Sequence, residues 1–458
     1  MHAHEWSSLV DWSKLPDLGA VALLTLAFAS VARHARASVS AIWLTAWLLI
    51  AVHFAAFMFL GAPGYWADLA TFVGLASLVS AGVLFMWAAV PHRTKQPSSR
   101  WMLIFLLTTY TLYFGLLVID PIASWALTPV AVMIGVLPLG LSLLTLGSFT
   151  HPLRWTVVGL NLALSVFLLI FQHQPSMGPM LAFEAVLFTV YIGCAIHFWF
   201  TYRRATAGAF ITIAAFFAWA CVFVAGPCIA YYFPNLHLEN EVWNLPKYVV
   251  AVGMIMLLLE DQLEHNKYLA LHDELTGLPN RRLFQDRLVG SIERARRTGT
   301  HVALLLLDLD NFKLVNDTAG HHVGDQLLKH VSDLFTGRVR KSDTVARTGG
   351  DEFSVILEEP MTRADAARVG KILTKLLEEP FTFDGKEVQV GASVGIAVFP
   401  DDAKDAESLR IAADLRMYAG KNASREDAAT NLPAEPLKRK SPRGVKGSTR
   451  VPGFQTAE

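Results

Sequence analysis

Two patterns of apolar residues divide this chain near residue 260. Before that point the sequence carries nine runs with the length and apolar content of bilayer-crossing helices, at roughly 18–32, 39–62, 69–90, 101–119, 125–147, 153–172, 179–202, 207–233 and 242–259. The ninth is the least regular, because Asn244, Pro246 and Lys247 interrupt its outer end and leave only Tyr248 to Leu259 unbroken; Lys247 is expected to snorkel to the interface. Met256, Leu259, Leu263, Asn266 and Ala270 then fall at alternating three- and four-residue steps. That a/d seam predicts a parallel dimer stalk, against a plain amphipathic linker as the alternative, since two heptads are marginal alone. From Leu271 to Ala423 short apolar runs alternate with helical patterns, which predicts a mixed sheet covered by helices. Pro433 to Glu458 is rich in Pro, Gly, Ser, Lys and Arg without periodicity and reads as a disordered, solvated basic tail.

Composition sharpens the division. Of 458 residues 53% are apolar and the formal net charge is zero, but the charged residues are sparse before about Glu260 and dense after it. Neither half has the charge of a nucleic-acid binder. Cys194, Cys221 and Cys228 lie in apolar runs without metal-type spacing and are expected to be packing residues. Met1 to Asp17 contains Glu5, Asp11, Lys14 and Asp17 rather than a basic leader, so the first span is expected to persist. Loops after the first, third, fifth and seventh spans carry Arg33 and Arg36, then Arg93, Lys95 and Arg100, then Arg154, then Arg203 and Arg204, whereas loops after the second, fourth and sixth carry no Lys or Arg. The positive-inside rule then puts the N-terminus outside and everything after Leu259 in the cytoplasm. His53, Asn161, Glu184 and His197 lie within spans, as a sensory site or as interhelical hydrogen-bond partners.

The polar half carries the chemistry. Val302 to Asp310 is an almost unbroken apolar strand ending in Asp308 and Asp310, expected to present their carboxylates on opposite faces. Thr344 to Thr348 and Glu352 to Leu357 flank Gly349 and Gly350, a two-residue hairpin signal that sets Asp351 beside a turn lacking side chains. Val388 to Phe399 reads as strand, and Ala406 to Asn422 as a helix ending in Lys421 and Arg425. Strand-end carboxylates, a glycine turn open to phosphates and nearby cations suit a divalent-metal nucleotide site. Each acid alone is equally a turn or cap residue, and the basic pair equally a helix C-terminus.

Gly349-Gly350-Asp351-Glu352-Phe353 is the GGDEF signature, and about a third of the chain resembles the diguanylate cyclase family. Asp273-Glu274-Leu275-Thr276-Gly277-Leu278-Pro279-Asn280-Arg281-Arg282 looks like the family's opening segment; Asp308-Leu309-Asp310-Asn311-Phe312-Lys313, Asn316-Asp317, Gly320-His321 and Gly324-Asp325 are similar to its metal and guanine region. The resemblance implies an α/β domain like the nucleotide cyclase and polymerase palm over 273–427, following a polytopic all-helical membrane domain over 1–259 and a signalling helix over 260–272, with the tail at 428–458. It implies that Asp308, the Leu309 carbonyl and Asp351 hold Mg2+, or Mn2+ in its place, and that Asp351, with Glu352, is catalytic. Asn316 and Asp325 would read guanine, with His321 beside them; backbone around Asn311 and Phe312, with Lys313, Gly349, Gly350, Lys421 and Arg425, would bind phosphates. Gly420 and Ser424 depart from the commoner Ala and Gly around that basic pair. Arg340-Lys341-Ser342-Asp343 matches the RxxD product-inhibition motif at its usual offset, although so short a pattern is also an ordinary surface turn. The implied activity condenses two GTP into cyclic di-GMP in a homodimer at a bacterial inner membrane. A silent GTP or cyclic di-GMP receptor, and a transporter with a regulatory domain, are the alternatives.

Overall fold

The computed structural model describes residues 10–34, 38–88, 97–119, 124–144, 152–171, 178–202, 206–236, 238–358 and 362–430. Arg36, Arg93, Lys95, Arg203, Arg204 and the 433–458 tail lie outside them. The chain divides into two compact units, Met1–Asn266 and Lys267–Glu458.

The first unit is helical: α1 (Leu15–His34), α2 (Ser38–Phe57), α3 (Tyr65–Ala88), α4 (Pro97–Ile119), α5 (Ser124–Leu144), α6 (Pro152–Phe171), α7 (Gly178–Thr201), α8 (Ala207–Tyr232) and α9 (Asn240–Leu271). Among the described residues these nine are long and apolar enough to cross a membrane. Large aromatics fill the centre, with Tyr191 stacked on Trp219 at 3.9 Å between centroids. α8 and α9 approach closely because Gly253 has no side chain: a Cβ there would stand 2.9 Å from the Thr212 nitrogen.

The irregular start of the ninth span has a structural reason, and Lys247 does not snorkel. Its side chain is buried and donates to Asn244 Oδ1 at 2.7 Å, while Asn244 Nδ2 donates to Asp17 Oδ2 at 2.8 Å and Tyr248 donates to the same carboxylate. Polar residues that break the apolar run therefore satisfy one another across α1 and α9. α9 is one continuous helix through Leu271, and Leu259 and Leu263 of the a/d seam are exposed on it.

The second unit is a four-stranded sheet of order β2-β3-β1-β6, with β1 (Val302–Asp310), β2 (Thr344–Arg347), β3 (Glu352–Glu358) and β6 (Gly391–Phe399); β4 (Phe381–Phe383) and β5 (Lys386–Val388) make a separate hairpin. All pairings are antiparallel, which corrects the mixed sheet expected from the alternation of strands and helices. Strand periodicity builds two cores. Ala303, Leu305, Leu307 and Leu309 pack with α12 (His321–Thr336) and α13 (Arg363–Lys375), and Val302, Leu304 and Leu306 with α10 (Arg281–Thr298) and α14 (Ala406–Thr430). The short α11 (Phe312–Ala319) follows β1. Two boundaries differ from the sequence reading: the strand expected from Val388 begins at Gly391, and the last helix continues to Thr430, so Lys421 is not a helix-end cation.

Candidate nucleotide site

The C-terminal end of β1 gathers the chemistry. Asp308 and Asp310 are two residues apart on a strand and share one face, correcting the opposite-face expectation. Ser393, opposite Asp308 in the β1–β6 register, donates to Asp310 Oδ1 at 2.9 Å, and Lys421 Nζ donates to Asp308 Oδ1 at 2.5 Å. Gly395 makes the second contact attainable: its missing Cβ would lie 2.0 Å from the Ala413 carbonyl oxygen, so α14 lies directly on β6 and carries Lys421 to the strand end.

β3 brings the glycine signature alongside. Asp308 is opposite Glu352, and the Leu309 amide donates to the Asp351 carbonyl at 3.1 Å. The connection is not a two-residue hairpin: β2 ends at Arg347 and β3 begins at Glu352, with the Thr348 amide donating to the Glu352 carbonyl at 2.9 Å. Neither glycine adopts positive φ; a Cβ at Gly349 would meet Glu352 Oε2 at 2.6 Å, so the Glu352 side chain lies against the glycine and would have to move for any larger residue. Glu352 lines a cavity of about 250 Å3 with Arg281, Ser354 and Arg410.

Arg347 is a participant that sequence reasoning missed. Its Nη2 and Nε donate to the Gly350 carbonyl at 2.7 and 3.1 Å, and its Nη1 to Asp273 Oδ1 at 2.9 Å. Burial pushes the Asp273 carboxyl up, but hydrogen bonds from Thr276 and Arg347 outweigh it and hold the group below its ordinary value. The opening segment thus clamps the glycine loop; the available signal was an arginine two residues before the glycine pair.

Of the expected guanine residues, Asn316 on α11 packs against α12 one residue before Asp325. The Asn316 side chain lies over Gly324, whose Cβ would stand 1.9 Å from Asn316 Oδ1 and 3.3 Å from the Phe312 ring, next to Asp325. Asn311 turns the chain from β1 into α11 with φ of 62°, a conformation asparagine tolerates. Lys313, His321 and Asp325 are exposed. Arg425 lies on α14 with its side chain outside the described set. Arg340 and Asp343 form one turn, in which Asp343 accepts from the Arg340 amide at 2.9 Å and the Glu358 amide at 3.1 Å while the Arg340 side chain is exposed.

Among the described residues no three His, Cys, Asp or Glu side chains converge as a metal group. The expected ligand set needs only two carboxylates and a carbonyl, and its hard oxygens fit Mg2+ or Mn2+. The Asp308 side chain, 14% exposed, already has a cation against it in Lys421.

Comparison with known proteins finds likeness over this same part of the chain. Residues 270–427 match the family model described as diguanylate cyclase, GGDEF domain. The chain is 42% identical over 192 residues to the bifunctional diguanylate cyclase/cyclic di-GMP phosphodiesterase MucR of Pseudomonas aeruginosa, covering 39% of this chain and 28% of that protein. It is 37% identical over 168 residues to the diguanylate cyclase TpbB of the same species, covering 36% of this chain and 39% of that one. A crystal structure of a sensory box/GGDEF family protein from Caulobacter crescentus shares 39% identity, with 33% of this chain and 99% of that one covered and a TM-score of 0.33. The C-terminal unit is therefore a GGDEF domain of the diguanylate cyclase family, and the chain spans well under half the length of these curated relatives.

Proposed function

We propose that this chain is a membrane-bound diguanylate cyclase that joins two GTP molecules into cyclic di-GMP with release of two pyrophosphates, and that its membrane region regulates it. The observation that carries the reading is the convergence of Asp308, Lys421 and the Asp351 backbone at one strand end, within an undamaged GGDEF signature. Asn316 and Asp325 pair with the guanine edge, an amide and a carboxylate offering the donor and acceptor pattern that distinguishes guanine. Lys421, Arg425, Lys313 and the amides after Asn311 take the triphosphate. Lys421 then exchanges its Asp308 contact for phosphate, leaving Asp308, the Leu309 carbonyl and Asp351 as the oxygen donors for Mg2+. That ion, when bound, supplies charge neutralisation and lowers the acidity threshold of the ribose 3′ hydroxyl. Asp351, with Glu352 beside it, accepts the proton as the 3′ oxygen attacks the α-phosphate of the facing GTP and pyrophosphate departs.

Each domain holds one GTP, so two copies face each other, with the exposed Leu259–Leu263 seam as the dimer stalk. The nine long apolar helices among the described residues support a bacterial inner-membrane location, and the loop charges support an N-terminus outside and a GGDEF domain in the cytoplasm. Arg340 and Asp343 bind cyclic di-GMP as an inhibitory site, the exposed guanidinium offering paired donors to product phosphate or guanine.

The test incubates full-length protein in lipid nanodiscs with GTP and Mg2+ and quantifies cyclic di-GMP and pyrophosphate. The parent makes both, and Asp351→Ala loses about 10²–10⁴-fold in rate. A dimeric parent that binds GTP but makes no product would instead be a nucleotide receptor. Arg340→Ala keeps the initial rate and loses inhibition by added cyclic di-GMP; unchanged inhibition would reduce the RxxD segment to a surface turn.

A further inference from the structure

The Met1–Asn266 unit holds a cavity of about 430 Å3 that the cyclase chemistry does not use. Five rings line it, Phe57, Phe183, Trp219, Phe223 and Trp243, and its polar groups are His53, Glu184 and Lys247. Two of these are matched within the protein. Lys247 shares charge with Asp17 through Asn244, and His53 donates from Nδ1 to the Gly74 carbonyl at 2.9 Å. Glu184 is the exception: its Oε2 is buried and has no hydrogen-bond partner. A second cavity of about 420 Å3 shares Glu184, Phe223 and Pro227 and is otherwise almost wholly apolar, with walls from Leu160, Phe188 and the exposed Val224.

We infer that Glu184 anchors a lipophilic amine, its ammonium head on the carboxylate among the rings and its apolar body in the adjoining cavity. A carboxylate with one oxygen buried and unpartnered calls for a donor, and a cationic donor restores the charge balance that a neutral one leaves open. Aromatic rings attract the same charge, as Lys247 already shows at 5.9 Å from the Trp219 centroid, and Phe57, Phe183, Phe223 and Trp243 remain for the ligand. An anion would meet an uncompensated carboxylate, and a purely apolar guest would leave Oε2 unsatisfied. The apolar side cavity selects an amine that partitions into lipid over a small hydrophilic one. The consequence for signalling rests on the sensor-cyclase reading: α9 contributes Trp243 and Lys247 to the cavity wall and continues as one helix to Leu271, where the GGDEF domain begins.

The experiment measures equilibrium binding of radiolabelled octylamine to the full-length protein in nanodiscs, with octanol as the neutral isostere and empty discs as the partition background. Saturable octylamine binding that weakens roughly tenfold or more in Glu184→Gln is expected, with octanol failing to compete. Gly226→Leu provides an independent variant. Gly226 lines the cavity, and a Cβ there meets nothing within 4 Å, so a leucine is expected to take up cavity space and abolish binding while Glu184 remains. Equal octylamine binding by parent and Glu184→Gln, or equally tight octanol binding, would overturn the inference. Cyclic di-GMP output in the same discs is read separately. Binding without a change in output upholds the site and removes its regulatory role, whereas a parent that makes no cyclic di-GMP defeats the cyclase reading and leaves the binding result standing.

Discussion

The two units handle buried charge in different ways. In the GGDEF unit, largely buried acids meet cations directly: Asp402, 9% exposed, takes Arg416 at 2.7 Å and Arg363 at 2.5 Å, Asp273 takes Arg347, and Asp308 takes Lys421. In the helical unit Asp17 and Lys247 are joined through the neutral Asn244, and Glu184 keeps an unpartnered oxygen. Direct pairs fix geometry, as the proposed phosphate and metal site requires. The unmatched Glu184 carboxylate leaves polar capacity facing a cavity, as the proposed binding role requires. Charge arrangement therefore distinguishes the unit proposed to perform chemistry from the unit proposed to receive a signal.

The sharpest break of this comparison is steric. α14 can hold Lys421 on Asp308 only because Gly395 has no side chain, and Cβ there would lie 2.0 Å from a backbone oxygen and 2.5 Å from the Met417 nitrogen. Gly395→Ala should cost about 3 kcal/mol and abolish cyclase activity. Gly140→Ala in α5, where Cβ meets nothing within 4 Å, should leave the helical unit unchanged. Thermal unfolding followed by limited proteolysis separates the units, and an intact, active Gly395→Ala protein would contradict the packing argument.

Next in size is the Asp402 clamp, which fastens β6 to α14. Arg416 first, then Arg363 and the Val398 amide, outweigh burial and hold its carboxyl well below the ordinary carboxylate range. A depressed folded-state pKa contributes stability that is complete above the unfolded value near pH 4 and is lost as pH falls towards the folded value. Asp402→Asn should cost about 2 kcal/mol at pH 7 in urea unfolding of the GGDEF unit, the half-exposed arginines moderating the loss. The deficit should shrink on acidification below about pH 4. A deficit constant down to pH 2 would mean the side chain acts through shape rather than charge.

The sequence revealed these units unequally. Among the described residues all nine apolar runs are helical, because length and hydropathy decide a span with little help from tertiary structure. Lys247 was misread because Asp17, to which Asn244 links it, lies 230 residues earlier, and no local pattern reports that link. In the GGDEF unit the signature led to the correct strand ends, but the periodicity of β1 was misapplied to Asp308 and Asp310. The glycine loop was taken for a tighter hairpin than the β2–β3 register allows. Arg347 went unnoticed because its function, tying Asp273 to the Gly350 carbonyl, exists only after distant segments meet. The cavity at Glu184 was visible only as an isolated acid in an apolar run, since the five rings around it come from α2, α7, α8 and α9.

The smallest expected effect lies at helix caps. Thr362 opens α13 with a reciprocal capping box: it accepts from the Asp365 amide at 3.2 Å, and Asp365 accepts from the Thr362 amide at 3.3 Å. Thr206 opens α8 with a single bond to the Ala209 amide at 3.3 Å, but Glu260 of α9 adds a carboxylate on the Gly208 amide at 3.0 Å. A negative group at a helix N-terminus persists when the threonine is removed. Thr362→Ala should therefore cost about 1 kcal/mol and Thr206→Ala about 0.5 kcal/mol or less. The difference should vanish when Thr206→Ala is combined with Glu260→Gln, because both donors at that end are then weakly held. Thermal shifts of full-length protein, resolved by unit through proteolysis, measure both losses. If Thr206→Ala alone costs as much as Thr362→Ala, Glu260 contributes nothing to that helix end, and its burial against Gly208 serves only to bring α8 and α9 together.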